Sequence, residues 1–165
     1  MIIKFTNYAD GVHYFNFNER ASNLGLEEPF YNGVDLDVKM DKSHSQIVIA
    51  ADLTLNAKFF CDRCTDEFNT KLKNHYMITY LFGKTPADQD VDNLYYLSPE
   101  NDKIDLKPDV IDYAVLSIPM KKLCQEECKG LCSKCGANLN RETCRCSEEE
   151  KINPIWSGLL KMKQD

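Results

Sequence analysis

Ile47-Val-Ile-Ala-Ala-Asp-Leu-Thr-Leu-Asn-Ala-Lys-Phe-Phe-Cys61-Asp-Arg-Cys64 alternates for most of its length. Ile47, Ile49, Ala51, Leu53, Leu55, Ala57 and Phe59 fall on one face, and Asp52, Thr54, Asn56 and Lys58 on the other. A two-residue period kept this long predicts an extended strand with one face on a core. Cys61 continues the apolar face, so the C-x-x-C lies at the strand's end, where the chain must turn.

The neighbouring segments repeat the pattern. Val34, Leu36, Val38 and Met40 alternate with Asp35, Asp37 and Lys39, which predicts a half-buried strand. His75–Phe82 predicts another, and Leu94–Leu97 a further short one. Upstream, Met1–Tyr8 and Val12–Phe17 are short β-rich runs, and Ala9-Asp10-Gly11 between them suggests a hairpin turn. Residues 18–32 contain Gly25 and Pro29 and are expected to form a connection with at most a short helix. No helix-length crossover separates the strands, so the sheet should be mainly antiparallel.

One helix is well signalled. Pro108 suits the first helical position, Asp109 suits the positive end of the dipole, and Leu106 could staple to Ile111. Val110, Ile111, Ala114, Val115 and Ile118 recur at helical spacing before Pro119 ends the run. Near the C-terminus, Asn153-Pro154 predicts the start of a short helix carrying Ile155, Trp156, Leu159, Leu160 and Met162. The expected fold class is α+β: a mainly antiparallel β-sheet with one packed helix, a C-terminal Cys-rich zinc-binding module and a short terminal helix. The expected division is residues 1–119 for the β-rich part and its helix, 120–153 for the zinc module, and 154–165 for the terminal helix.

The chemistry lies in the cysteines. Six of the eight fall between Cys124 and Cys146; the other two are Cys61 and Cys64. Four thiolates are the set that a structural Zn²⁺ takes in a closed tetrahedral site, so eight suggest two Cys₄ sites. Cys132-x₂-Cys135-x₈-Cys144-x-Cys146 can close on itself, with Gly136 giving the turn after the knuckle. The remainder, Cys61, Cys64, Cys124 and Cys128, would form a long-range site joining the strand's end to the segment after the helix. The other pairing groups Cys124, Cys128, Cys132 and Cys135, and leaves Cys144 and Cys146 to Cys61 and Cys64.

Composition narrows the function. The chain is 43% hydrophobic and 28% charged, a globular balance. No apolar run approaches a membrane span and no signal peptide is evident, so a cytoplasmic location is expected. In a reducing compartment, paired cysteines favour metal ligation over disulfides. Residues 1–119 carry 11 basic and 19 acidic side chains, whereas residues 120–165 carry 9 and 7. That is not the footprint of a broad nucleic-acid-binding face. Any RNA contact should be local, through Lys129, Lys134, Arg141 and Arg145 around the knuckles, with Trp156 able to stack; the bland alternatives are a solvated surface and a packed tryptophan.

Other motifs fail. Gly83-Lys84-Thr85 lacks the upstream glycine of a phosphate-binding loop, which falls on Ile78. Asp88, Asp90 and Asp92 start like an EF-hand loop but meet Asn93 and Pro99 at its sixth and twelfth positions. Cys61-Asp-Arg-Cys64 is not beside a βαβ unit, which disfavours a dithiol catalyst. His13, His44 and His75 stand apart from the cysteines. No nucleophile–base arrangement is evident, and the chain reads as a non-enzyme without a small-molecule substrate.

Cys61-Asp-Arg-Cys64-x₃-Phe68 resembles the C-x-R-C-x₃-F signature of the YceD family, the large ribosomal RNA subunit accumulation proteins. The resemblance continues through Ile104-Asp-Leu, Leu116-Ser-Ile-Pro-Met120, Gly130-Leu-Cys-Ser-Lys-Cys-Gly-Ala-Asn-Leu-Asn140 and Asn153-Pro-Ile-Trp-Ser-Gly-Leu-Leu. Thr65 stands where the family usually has leucine. The resemblance implies a ribosome biogenesis factor needed for 23S rRNA accumulation. Its partner would be large-subunit rRNA or a pre-ribosomal particle, met directly or through a basic ribosomal protein. A zinc-based thiol switch and a general protein-interaction module are the competing expectations.

Overall fold

The computed structural model describes residues 1–83 and 93–146. The expected terminal helix with Trp156, the acidic run Glu148–Glu150 and the aspartates at 88, 90 and 92 lie outside the described residues. The elements run β1 (Ile2–Ile3), a 3₁₀ turn (Phe5–Asn7), β2 (Gly11–Arg20), α1 (Ala21–Leu24), β3 (Phe30–Lys42), β4 (Gln46–Phe60), β5 (Glu67–Phe82), β6 (Leu94–Leu97), β7 (Ile104–Asp105) and α2 (Lys107–Leu116). Among the described residues, β2-β3-β4-β5-β6 form one five-stranded sheet, and β1 pairs with β7 beside it.

The alternation in β4 places its residues as expected. Ile47, Ile49, Ala51, Leu53, Leu55, Ala57 and Phe59 are all buried. Across the ladders they meet inward residues of the neighbouring strands: Leu36 lies opposite Leu53, and Met40 opposite Ile49, which in turn faces Ile78. Helix α2 covers this face with Val110 and Ala114. Tyr113 stacks on Tyr76 with ring centroids 3.9 Å apart, and the Asn74 side-chain amide donates to the Tyr113 carbonyl at 3.1 Å.

Several local expectations change. Residues 1–8 do not form a hairpin with β2: Ile2 pairs with Asp105 and Ile3 with Ile104, and the Leu106 N–H donates to the Met1 carbonyl at 2.9 Å. The N-terminus thereby straps the segment leading into α2. Strand β5 begins at Glu67, well before His75. The pairing is antiparallel except that β6 runs parallel to β5, matching Thr79–Phe82 to Leu94–Leu97.

Helix α2 also differs at its ends. Lys107 opens it and Pro108 follows, while the Asp105 carboxylate accepts the Lys107 N–H at 3.0 Å. Leu106 occupies the cap position and is fully buried. Asp109 is buried too, and desolvation pushes its carboxyl above the ordinary range even though the Tyr95 hydroxyl donates to it at 3.4 Å. Val115 is 54% exposed. Five residues past Val110 it has turned roughly 140° away from the sheet, so the buried stripe passes it by.

Leu53 is buried in the central strand between two paired neighbours. Leu53→Ala should lower unfolding free energy by about 2–5 kcal/mol, seen as a lower urea midpoint at unchanged slope. A shift below about 0.5 kcal/mol, the scale of an ordinary surface substitution, would contradict this placement of the core.

Candidate metal centres

The β4–β5 turn is the first knuckle. The Cys61 N–H donates to the Asp66 carbonyl at 2.9 Å, and the Thr65 N–H to the Cys61 carbonyl at 2.9 Å. Thr65 takes a φ of 58°, the left-handed conformation that closes such a turn, and its hydroxyl donates to the Cys64 carbonyl at 2.7 Å. The second knuckle repeats the device: the Gly136 N–H donates to the Cys132 carbonyl at 2.9 Å, with φ 76° at Gly136. A glycine does this without strain; a β-branched residue does not.

After α2 the chain returns to the first knuckle. The Asp62 N–H donates to the Lys122 carbonyl at 2.8 Å, and the Lys122 N–H to the Asp62 carboxylate at 2.7 Å. This brings Cys124 and Cys128 over Cys61 and Cys64. The sulfurs of Cys61 and Cys128 are 3.8 Å apart, and those of Cys64 and Cys124 are 3.7 Å apart. In the other cluster, Cys144 lies 3.5 Å from Cys135 and 3.2 Å from Cys132. Within each group, Cys61, Cys64, Cys124, Cys128 and Cys132, Cys135, Cys144, Cys146, the four sulfurs all lie within 4.8 Å of one another. Four sulfurs at about 2.3 Å from a tetrahedral ion would stand about 3.8 Å apart, so both sets could close on one metal ion.

The two clusters differ in environment. Cys61, Cys64 and Cys128 are buried, whereas Cys135 is exposed and its partners are half-buried. Burial pushes the Cys61 thiol up, but the backbone N–H groups of Cys124, Cys64 and Arg63 together outweigh it and bring it down to about 6. Cys132 is likewise drawn down to about 6, chiefly by the backbone N–H groups of Cys135 and Lys134. Their neighbours move the other way. At Cys64 the Asp66 N–H pulls downward, yet burial and the adjoining sulfurs push the thiol up to about 12. At Cys144 the Cys146 N–H also pulls downward, and the adjoining sulfurs again prevail, to about 12. Each loop thus supplies donors for sulfur charge, but crowded thiolates repel one another. A bound dication would relieve that repulsion.

The outer loop is clasped to the inner cluster. Gly130, at φ 76°, passes the knuckle so closely that an added Cβ would lie 3.0 Å from the Arg63 carbonyl oxygen. The Leu131 N–H donates to that same oxygen at 3.0 Å. Arg63 in turn donates to the Cys128 carbonyl at 2.8 Å. One Asp66 carboxylate oxygen accepts the Asn138 side-chain amide at 2.8 Å, and the other meets Arg141 Nη2 at 3.0 Å. The Asn140 side-chain amide donates to Cys128 Sγ at 3.3 Å.

The cysteines are therefore brought together in two groups of four, by the first of the two pairings. Lys129, Lys134 and Arg145 are exposed on the outer loop, and Arg141 is exposed while paired with Asp66. Trp156 is outside the described residues. None of the three histidines joins a cluster: His13 bonds the Ala9 carbonyl, His75 bonds Asp52, and His44 sits exposed in the β3–β4 turn. Asp66, Asn138 and Asn140, which hold the loops together, carry no signal of their own in a single sequence. Asn138 and Asn140 did fall within the family-like stretch ending at Asn140.

Gly130 and Gly136 provide a paired test. Gly136→Ala meets open space and should cost about 1 kcal/mol, from its left-handed backbone alone. Gly130→Ala adds a backbone contact and should cost about 2–3 kcal/mol, with faster proteolysis of the 129–146 loop. Equal melting shifts for the two would contradict the clasp.

The family model described as large ribosomal RNA subunit accumulation protein YceD matches residues 49–163. A chloroplastic large ribosomal RNA subunit accumulation protein YCED homolog 1 of Arabidopsis thaliana is 40% identical over 62 residues, 38% of this chain and 19% of its own length. The Zea mays protein of the same description is 37% identical over 82 residues, 46% of this chain and 27% of its own. An uncharacterised protein of Mycobacterium leprae is 24% identical over 135 residues, 78% of this chain and 58% of its own. The chain thus spans less than two thirds of the length of the curated relatives it matches. No solved structure matches it significantly. No helix among the described residues is long and apolar enough to cross a membrane. The match runs from near the start of β4 through both knuckles and both cysteine clusters, and the chain belongs to the YceD family.

Proposed function

We propose that the chain is a non-enzymatic factor supporting the accumulation of large-subunit ribosomal RNA, with its Cys-rich end held by two structural zinc ions. The observation that carries the reading is the family match, together with the plant relatives named for large ribosomal RNA accumulation. The donor chemistry supports zinc: four soft sulfurs suit it, and they fill a tetrahedral ion with no position for a reacting water. Such an ion supplies rigidity to loops that have little apolar core of their own. The site therefore acts as a scaffold, presenting the outer loop to a pre-ribosomal particle.

The contact we favour is with RNA phosphates, through Lys129, Lys134 and Arg145 on the outer loop. Arg141 orients the loop through Asp66. A second reading has its own support. Asp35, Asp37, Asp41 and Asp52 share the solvent face of β3 and β4, and the whole chain carries −6, which would attract a basic ribosomal protein. A thiol switch at the more exposed outer cluster would instead show as zinc release by peroxide.

Ultraviolet crosslinking of the tagged protein in its own cells, with sequencing of the attached RNA, tests the first reading. A defined large-subunit rRNA segment should be enriched, and a Lys129→Glu, Lys134→Glu, Arg145→Glu triple variant with full metal content should crosslink roughly tenfold less. An unchanged yield from that variant would contradict contact through the outer loop. Absence of RNA, with a basic ribosomal protein retained only while Asp35 and Asp37 are intact, would support the second reading.

A further inference from the structure

The inner cluster is not completed by its own loops. Cys61 and Cys64 come from the β4–β5 turn, and Cys124 and Cys128 from the segment after α2. The hydrogen bond to Cys128 Sγ, however, comes from Asn140, four residues short of Cys144 in the outer loop. The orientation of that side chain is set by its other partners. Asn140 Oδ1 accepts the Lys129 N–H at 2.8 Å, which turns its NH₂ toward Asn138 Oδ1 at 3.0 Å and the Cys128 sulfur at 3.3 Å. With the amide reversed, an oxygen would face the sulfur and an NH₂ would face an N–H. Two N–H donors cannot bond, and the oxygen would also oppose Asn138 Oδ1, so the donor faces the sulfur.

A donor aimed at a ligating sulfur favours the thiolate and fixes where it points. The loop that delivers Asn140 has little apolar core of its own. Of its apolar side chains, Leu131 is 38% exposed and Leu139 only half-buried. Backbone bonds such as that from the Cys132 N–H to the Ala137 carbonyl at 2.8 Å shape its turn, and an ion held by the four convergent sulfurs would tie Cys144 and Cys146 to it. The clasp of Leu131 on Arg63, and of Asn138 and Arg141 on Asp66, then transmits that closure to the first knuckle.

We propose that the two four-sulfur sites are coupled, with Asn140 as the positioning residue through which an occupied outer site tightens metal binding at the inner one. The coupling rests on the zinc reading given above. Its sign is positive, and by linkage it is reciprocal: an inner site lacking metal weakens the outer one by the same factor. A relative order of loss follows. The exposed outer cluster yields its ion first, and the inner ion, otherwise protected by burial, then becomes easier to remove.

The test uses the full chain loaded with zinc and a chromogenic chelator. Two ions per chain should be released in two phases, the slower one assigned to the inner cluster by its loss in Cys61→Ser. Asn140→Asp keeps the oxygen that accepts the Lys129 N–H but sets an anionic oxygen against the sulfur. With the outer site kept filled by excess free zinc, exchange of the inner ion for a labelled zinc isotope should be about tenfold faster in this variant than in the wild-type chain. With cobalt in place of zinc, the same variant should shift the sulfur-to-metal charge-transfer band of the inner site, which loosened packing alone would not do. A Cys135→Ser, Cys146→Ser variant, emptied only at the outer site, should exchange its inner ion faster than the doubly filled wild-type chain by a similar factor. Two ions per wild-type chain with the inner exchange rate and the cobalt spectrum unchanged in these variants would overturn the coupling alone. Fewer than two ions per wild-type chain would overturn the zinc reading and the coupling with it.

Discussion

Between Phe60 and Glu67 the chain must reverse two long paired strands while placing two sulfurs side by side. A turn of this kind needs a residue in the left-handed region, and Thr65 fills that role with the Cys61 carbonyl as its anchor. Because Cys61 continues the buried face of β4, the first cluster is an extension of the hydrophobic core and not an appendage. The segment after α2 is then held by Asp62, on the same turn, which sets where Cys124 and Cys128 arrive. The outer loop rests on the same few residues through Arg63 and Asp66. One hairpin turn thus supplies two ligands, a docking strand end and the seat for a second cluster.

The electrostatics follow from that crowding. Four thiols held within one small volume cannot all ionise without a cation, and the opposed shifts at Cys61 and Cys64, and again at Cys132 and Cys144, express this. Backbone N–H groups choose which sulfur takes the charge first. The two clusters share this scheme but not their surroundings: the inner one borrows stability from the sheet, and the outer one from its own closure and from the inner one.

Much of this was legible from the residues. The period in β3 and β4 named their buried faces correctly, because one side of each strand meets the core and the other meets water. The spacing from Cys132 to Cys146 suggested a local set, with the long-range set as its remainder, but a second pairing stayed open until the sulfurs were seen to converge. Other features had no local signature. The pairing of Ile2 with Asp105 joins residues 103 positions apart, so the first residues looked like half of a hairpin with β2. The first half of β5 is diluted by Thr70, Lys71, Lys73 and Asn74, and only its partner strand reveals it. The parallel placement of β6 depends on where a short strand finds a free edge. Asn138 and Asn140 look like ordinary loop polar residues until the fold sets them against Asp66 and Cys128. Local period and ligand spacing are thus readable in one sequence, whereas the contacts that join separate loops are not.

The central claim is that the chain holds two separate ions, each enclosed by sulfur alone. X-ray absorption fine structure at the zinc edge, on the full chain purified without added metal, measures this directly. The account predicts a first shell of four sulfurs at about 2.3 Å and no metal neighbour beyond it. Nitrogen or oxygen in the first shell, or a second metal at bridging distance, would contradict it.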